Sequence, residues 1–209
     1  YLQKALETQT RLGSEYGRRV TLQGLRRTYE SRGEWDKALE YSAQVFDGEG
    51  GADWTEFTAV ARILARRGQL AEAQDWIEEA LAAAKRAVEL SDGYAAYADL
   101  VVAYAKAGKP AEAQNLFNQL DDPHRTPRWR PSFRAYALAG MRRYDEALAA
   151  LEQAYQEGDG FMTAMLHNKL MIPLYDKPRF QKLVHLLGQE QRVEHTRLMN
   201  ERSQHRQRR

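Results

Sequence analysis

The chain has no cysteine, so neither a disulfide nor a thiolate metal site can form. Proline is scarce, six in 209 residues, and falls mostly between or after the periodic segments described below. No apolar run approaches the roughly 18 residues of a membrane-spanning helix. The opening residues, Tyr1-Leu2-Gln3-Lys4-Ala5-Leu6-Glu7, are amphipathic and lack a secretory apolar core. They read as the inside of a helix, as expected of a piece of a longer chain. The net charge of +2 is too small to argue for nucleic acid on its own. The five histidines (His124, His167, His185, His195, His205) are scattered, with no His-Glu-x-x-His spacing. There is no Gly-x-Ser-x-Gly elbow. Gly48-Glu49-Gly50-Gly51 follows a helix rather than a strand and lacks a Lys-Ser/Thr ending, so it reads as a turn and not as a phosphate loop. The Glu78-Glu79 pair fits a solvated helix face. The expectation is a non-catalytic chain with no cofactor, no metal and no membrane segment, placed in the cytoplasm.

What the chain does have is a pattern that returns four times. Gly33-Glu34-Trp35-Asp36-Lys37-Ala38-Leu39 is followed by Gly68-Gln69-Leu70-Ala71-Glu72-Ala73-Gln74. Then come Gly108-Lys109-Pro110-Ala111-Glu112-Ala113-Gln114 and Arg142-Arg143-Tyr144-Asp145-Glu146-Ala147-Leu148. Successive starts lie 35, 40 and 34 residues apart. Before the first three, apolar residues recur at helical spacing: Leu22, Leu25 and Tyr29; Phe57, Val60 and Leu64; Tyr97, Leu100 and Tyr104. The pattern predicts four antiparallel pairs, a helix A and a helix B, with Gly at the left-handed position that ends helix A. Ala38, Ala73, Ala113 and Ala147 hold one fixed place on helix B. Close approach of two helices requires small side chains there and at Ala61 and Ala135 on the facing helices.

These residues resemble the tetratricopeptide repeat, a helix–turn–helix unit of about 34 residues, over residues 18–157. The resemblance implies an all-α fold: a right-handed superhelical array of antiparallel helix pairs closed by a C-terminal capping helix. Residues 1–13 are expected to form a helix of an incomplete leading repeat, 14–157 the four pairs, 158–188 the capping segment and 189–209 a basic polar tail. Several positions depart from the pattern. Arg26 holds the small position of the first helix A, which predicts a splayed or terminal pair. Val101 holds it in the third. Ser42 replaces a large apolar residue of the first helix B, and Pro131 and Arg134 replace large apolar residues in the fourth helix A. The second helix B, from Ala71 to about Leu90, is too long and is expected to project. Asp121 to Pro131 reads as an irregular loop ordered by Trp129. Phe161 to Leu170 reads as a helix. Asp176 is expected to cap a last helix whose stripe of Phe180, Leu183, Val184 and Leu187 covers the end of the array. The run Pro173 to Phe180 is similar to the closing segment of bacterial multidomain tetratricopeptide proteins.

In the family, A helices line a concave groove that holds partner peptides. The register places Gln23, Arg27, Thr58, Arg62, Arg66, Asp99, Lys106 and Tyr136 on that side. Arg27, Arg62, Arg66 and Lys106 raise the positive potential, which predicts an acidic protein or peptide partner. A merely solvated face is the competing reading. The Lys/Asn pair with which chaperone-binding relatives clamp a terminal carboxylate is missing. The alternative function is nucleic-acid binding by the groove and the tail with its six arginines (Arg192, Arg197, Arg202, Arg206, Arg208, Arg209). It is disfavoured, because the positions that would read bases vary without pattern.

Overall fold

The structure is a computed structural model that describes residues 2–47, 53–91, 93–122, 124, 129–189, 193, 196–198 and 201. Its regular elements are all helical: α1 (Leu2–Arg11), α2 (Glu15–Arg32), α3 (Trp35–Phe46), α4 (Trp54–Arg66), α5 (Leu70–Leu90), α6 (Tyr94–Lys106), α7 (Pro110–Leu120), α8 (Pro131–Gly140), α9 (Tyr144–Gln156), α10 (Met162–Leu166), a 3-10 helix (Lys169–Leu174) and α11 (Pro178–Leu186). The described residues form two compact units, 2–83 and 84–201, divided within α5.

The same hydrogen-bonded stop ends α2, α4, α6 and α8. Gly33 has φ +75°; its N–H donates to Glu30 O, while the N–H of Glu34 reaches back to Tyr29 O at 3.0 Å. This double bond satisfies carbonyls that the helix itself leaves without donors. It recurs where Gln69 N donates to Leu64 O, Lys109 N to Tyr104 O and Arg143 N to Leu138 O. The left-handed residue is Gly68 in the second pair and Gly108 in the third, but Arg142, at φ +62°, in the fourth. Helix B then begins at one register in every pair: Trp35, Leu70, Pro110 and Tyr144 are the first residues of α3, α5, α7 and α9. The amides of Ala38, Ala73, Ala113 and Ala147 make the first bonds of those helices, to Glu34, Gln69, Lys109 and Arg143. All four alanines are buried, as close helix approach demands.

In the first unit, α2 packs on α1 and α3, and α4 on α3. Phe46, Phe57 and Trp76 form one aromatic group, with ring centroids 4.9 to 5.8 Å apart, joining α3, α4 and the start of α5. Tyr29 stacks on Tyr41 at 5.4 Å. The expected splaying of the first pair does not occur: α2 packs on α3, and the charge of Arg26 is met by Glu30 and Glu56. Helix α2 starts at Glu15, because the Ser14 hydroxyl accepts a bond from Gly17 N and caps it there.

In the second unit, a continuous core runs from Ala98 and Val101 through Leu138, Leu148 and Leu151 to Leu174, Phe180 and Val184. Helix α8 forms despite Pro131 and Arg134. Pro131 sits in the first turn, where its missing N–H costs nothing. The N–H of Ser132 is taken by Asp159 Oδ2 at 3.1 Å. Arg134 turns outward to Asp121, Nε to Oδ1 2.6 Å. Burial pushes the Asp159 carboxyl up, but its bonds from Ser132 and Phe161 and the nearby Arg130 hold it below its ordinary value. Gly140 lets α8 approach α6 closely, since a Cβ there would lie 2.6 Å from Val102 Cγ2. Trp129 is buried against Phe117, 5.4 Å between ring centroids; most of the loop before it, like the Gly48–Gly51 turn, lies outside the described residues.

The end of the second unit differs from expectation in three ways. The helix expected over Phe161–Leu170 is a short α10, Met162–Leu166, followed by the 3-10 helix Lys169–Leu174, with the side chain of Asn168 capping the latter through Leu170 N. Asp176 does not cap α11. The N-cap is Lys177, without a side-chain bond, and Asp176 instead pairs with Arg197 at 3.5 Å. The stripe Phe180, Leu183 and Val184 is buried and α11 packs on α9, but α11 does not cover this face alone. Val193, from the segment expected to be a solvated tail, is 4% exposed and belongs to the same core.

Candidate functional site

Helix α2 carries two faces. Leu22, Leu25, Arg26 and Glu30 are buried. Tyr16, Val20, Gln23 and Arg27 follow one another at helical spacing along the adjacent stripe. Tyr16 and Val20 are 73% and 49% exposed. Gln23 is half-buried and Arg27 exposed. Arg27 makes no ion pair with any described residue.

Beneath that stripe lies a network of charges that the repeat pattern did not reveal. Arg26, 4% exposed, stands where the repeat requires a small residue. Its Nη1 donates to Glu30 Oε2 at 3.2 Å, and its Nε lies 2.8 Å from Glu56 Oε1. Glu56, 0% exposed, also accepts from the Ser42 hydroxyl at 3.0 Å. Asp53 and Glu56 have the spacing of a capping box, and Asp53 Oδ1 does accept from the amides of Thr55 and Glu56. The Glu56 side chain turns inward instead, towards Arg26 and Ser42. Two departures from the repeat pattern, Arg26 and Ser42, thus explain each other: both exist to hold Glu56.

Glu30 is the other centre. Arg62 grips it with two bonds, Nε to Oε1 2.7 Å and Nη2 to Oε2 2.9 Å. Arg66 adds Nη1 to Oε1 at 3.2 Å and lies over the Trp35 ring, 5.9 Å from its centroid. Burial pushes the Glu30 carboxyl up, yet Arg62, Arg26 and Arg66 outweigh it and hold the group below its ordinary value. Burial likewise lowers Arg62, but the bond and charge of Glu30 hold it above its usual value. Three guanidinium groups, Arg26, Arg62 and Arg66, therefore gather around two carboxylates, and with Arg27 on the exposed side of α2 these six groups carry an excess of two positive charges.

The residues assigned to a groove fall in both units. Arg62 and Arg66 are not loose surface cations: Glu30 fixes both, so changing them bears on stability as well as on any partner. Thr58 bonds back to Thr55 O. In the second unit, Tyr136 donates to Asp99 Oδ1 at 3.0 Å, and Lys106, at the end of α6, is exposed. That unit also has a cleft of about 370 Å³ lined by Leu120, Asp121, Asp122, Trp129, Pro131, Arg134 and Gln153; its Asp121 is already engaged by Arg134. His167 Nε2 lies 3.0 Å from Gln189 Oε1. Among the described residues no cluster of three or more His, Asp or Glu could hold a metal ion, and no helix is long and apolar enough to cross a membrane.

The family model described as the tetratricopeptide repeat matches residues 21–45, the stretch that holds the buried face of α2, the Gly33 turn and Ala38. No curated protein and no solved structure matches significantly. That match, with the same turn and the same alanine register returning in all four pairs, supports a tetratricopeptide repeat protein.

Proposed function

We propose that the chain is a non-catalytic scaffold that binds an acidic protein segment on the A-helix face of its first unit, through Arg27, Arg62 and Arg66, with Gln23 and Thr58 beside them. Tetratricopeptide repeats generally mediate protein–protein interactions and typically do so without catalysis. The observation that carries the reading is the imbalance of charge around Glu30: one carboxylate orients two arginines while Arg27 has no ionic partner among the described residues. Guanidinium groups already oriented by Glu30 lose little side-chain freedom when their remaining N–H groups meet a further carboxylate. Asp99, Lys106 and Tyr136 in the second unit form a second, chemically different face for the same partner or another.

The test uses the intact chain to capture partners, identified by mass spectrometry, alongside Arg27→Glu, which removes a cation that supports no other described side chain. Capture that falls with Arg27→Glu and with rising salt supports the proposal. Capture of RNA or DNA that disappears on removing residues 202–209, which carry four of the six tail arginines, and ignores Arg27→Glu, overturns it in favour of a nucleic-acid role.

A further inference from the structure

The cations are only half of the exposed stripe. Arg27 ends a row that begins with Tyr16 and Val20, both far more exposed than large apolar residues on a packed helix need be. The four residues Tyr16, Val20, Gln23 and Arg27 span about 16 Å of α2 at 1.5 Å per residue. The chemistry changes along that length. The N-terminal end offers an aromatic ring, with the Arg19 guanidinium 6.0 Å from its centroid, and a branched aliphatic side chain. The C-terminal end offers Arg27, with Arg62 and Arg66 gathered on Glu30 one turn further on. The apolar end stands on the first turns of α2, above Ser14 and Gly17, so its side chains are carried by a capped helix and not by a loop.

We propose that this stripe selects a bipartite segment: one or two aromatic or aliphatic residues that sit on Tyr16 and Val20, and a cluster of Asp or Glu that sits on Arg27, Arg62 and Arg66. The inference rests on the scaffold reading above and adds the order and spacing of the ligand's parts. The two parts are separated by about 16 Å, which is about five residues if the segment is extended at roughly 3.3 Å per residue, and about eleven if it is helical. Charge fixes the occupant: the excess of two positive charges at one end rejects a basic amphipathic segment, and exposed Tyr16 and Val20 add nothing to a purely acidic one. Affinity comes from burying the two apolar side chains, and selectivity from the arginines.

The test is selection from a random peptide display library on the intact chain, followed by binding of the recovered peptides to Arg27→Glu and to the double variant Tyr16→Ser/Val20→Ser. These substitutions are on exposed side chains, and unchanged thermal unfolding confirms that each variant is folded. The expected result is recovery of peptides with an apolar cluster and an acidic cluster at one of the two spacings, with each variant weakening binding by about tenfold or more, a change of roughly 1.4 kcal/mol. Peptides that are acidic without an apolar cluster, weakened by Arg27→Glu but not by Tyr16→Ser/Val20→Ser, overturn this inference and leave the scaffold reading standing. Peptides indifferent to both variants, a preference for basic peptides, or no recovery above background overturn both.

Discussion

Arg62 of α4 closes on Glu30 of α2 with both oxygens engaged, 2.7 and 2.9 Å, across 32 residues of sequence. That contact, with Arg26–Glu56 beside it, ties the second helix pair to the first through charge. The consequence is that α2 and α4 keep one register while their exposed sides remain available to a partner.

Replacing Glu30 with Gln should cost roughly 3 kcal/mol at neutral pH, the low end for breaking a buried ion pair, because Arg62 and Arg66 reach water and Arg26 retains Glu56. The carboxyl of Glu30 is held below its ordinary value in the folded chain. Its contribution is therefore complete above the unfolded value of about 4.3 and is lost as pH falls through the lower folded value. Denaturant titrations of both proteins between neutral and acid pH should show the gap constant above about pH 5 and closing below it. A gap that widens on acidification would contradict the assignment.

Arg142 occupies at φ +62° the position that Gly33, Gly68 and Gly108 occupy in the other pairs. A non-glycine residue there carries strain of order 1–3 kcal/mol, partly offset because glycine gains freedom in the unfolded chain. Arg142→Gly should stabilise the second unit by about 1 kcal/mol, seen as a higher midpoint in chemical denaturation. A lower midpoint would show that the Arg142 side chain makes a compensating contact.

How far the sequence carried the account can be seen at these positions. The spacing of Gly33, Gly68 and Gly108 and the recurrence of Ala38, Ala73, Ala113 and Ala147 located every A–B turn, because those turns need a left-handed residue and those interfaces need a small one. Arg26 and Ser42 were visible as departures, yet Glu30 and Glu56 were not, since glutamate on a helix usually marks a solvated face. The readable signal was the pair: two polar residues at packing positions of one repeat require a buried counter-charge. Of the residues assigned to a groove, Arg27 makes no ion pair with any described residue, while Arg62 and Arg66 are held by Glu30. The burial of Val193 was not legible, because it stands between Arg192 and Glu194 in a polar segment and depends on tertiary contacts.

Ala113 is 0% exposed in the core of the second unit. Ala113→Glu combines overpacking with a buried unpaired charge and should destabilise the second unit by roughly 4 kcal/mol or more. Thermal unfolding followed by circular dichroism checks this, and an unchanged midpoint would mean that the repeat register is wrong.

Removing residues 189–209 should lower stability, contrary to what a solvated tail would do. Val193 leaves the core, Gln189 leaves His167, and Arg197 leaves Asp176. Val193→Ala, which deletes two buried methyl groups, should cost on the order of 1–2 kcal/mol by itself. Calorimetry of both forms measures the effect; equal midpoints for the full and shortened chains would place the end of the folded region at α11.

The most direct measurement is amide hydrogen exchange of the intact chain with and without an acidic–apolar peptide recovered by display. The account predicts slowed exchange concentrated in α2 from Tyr16 to Glu30 and in α4 from Thr58 to Arg66, lost in the Arg27→Glu variant. Protection confined to the second unit, or to the residues beyond Gln189, would contradict it.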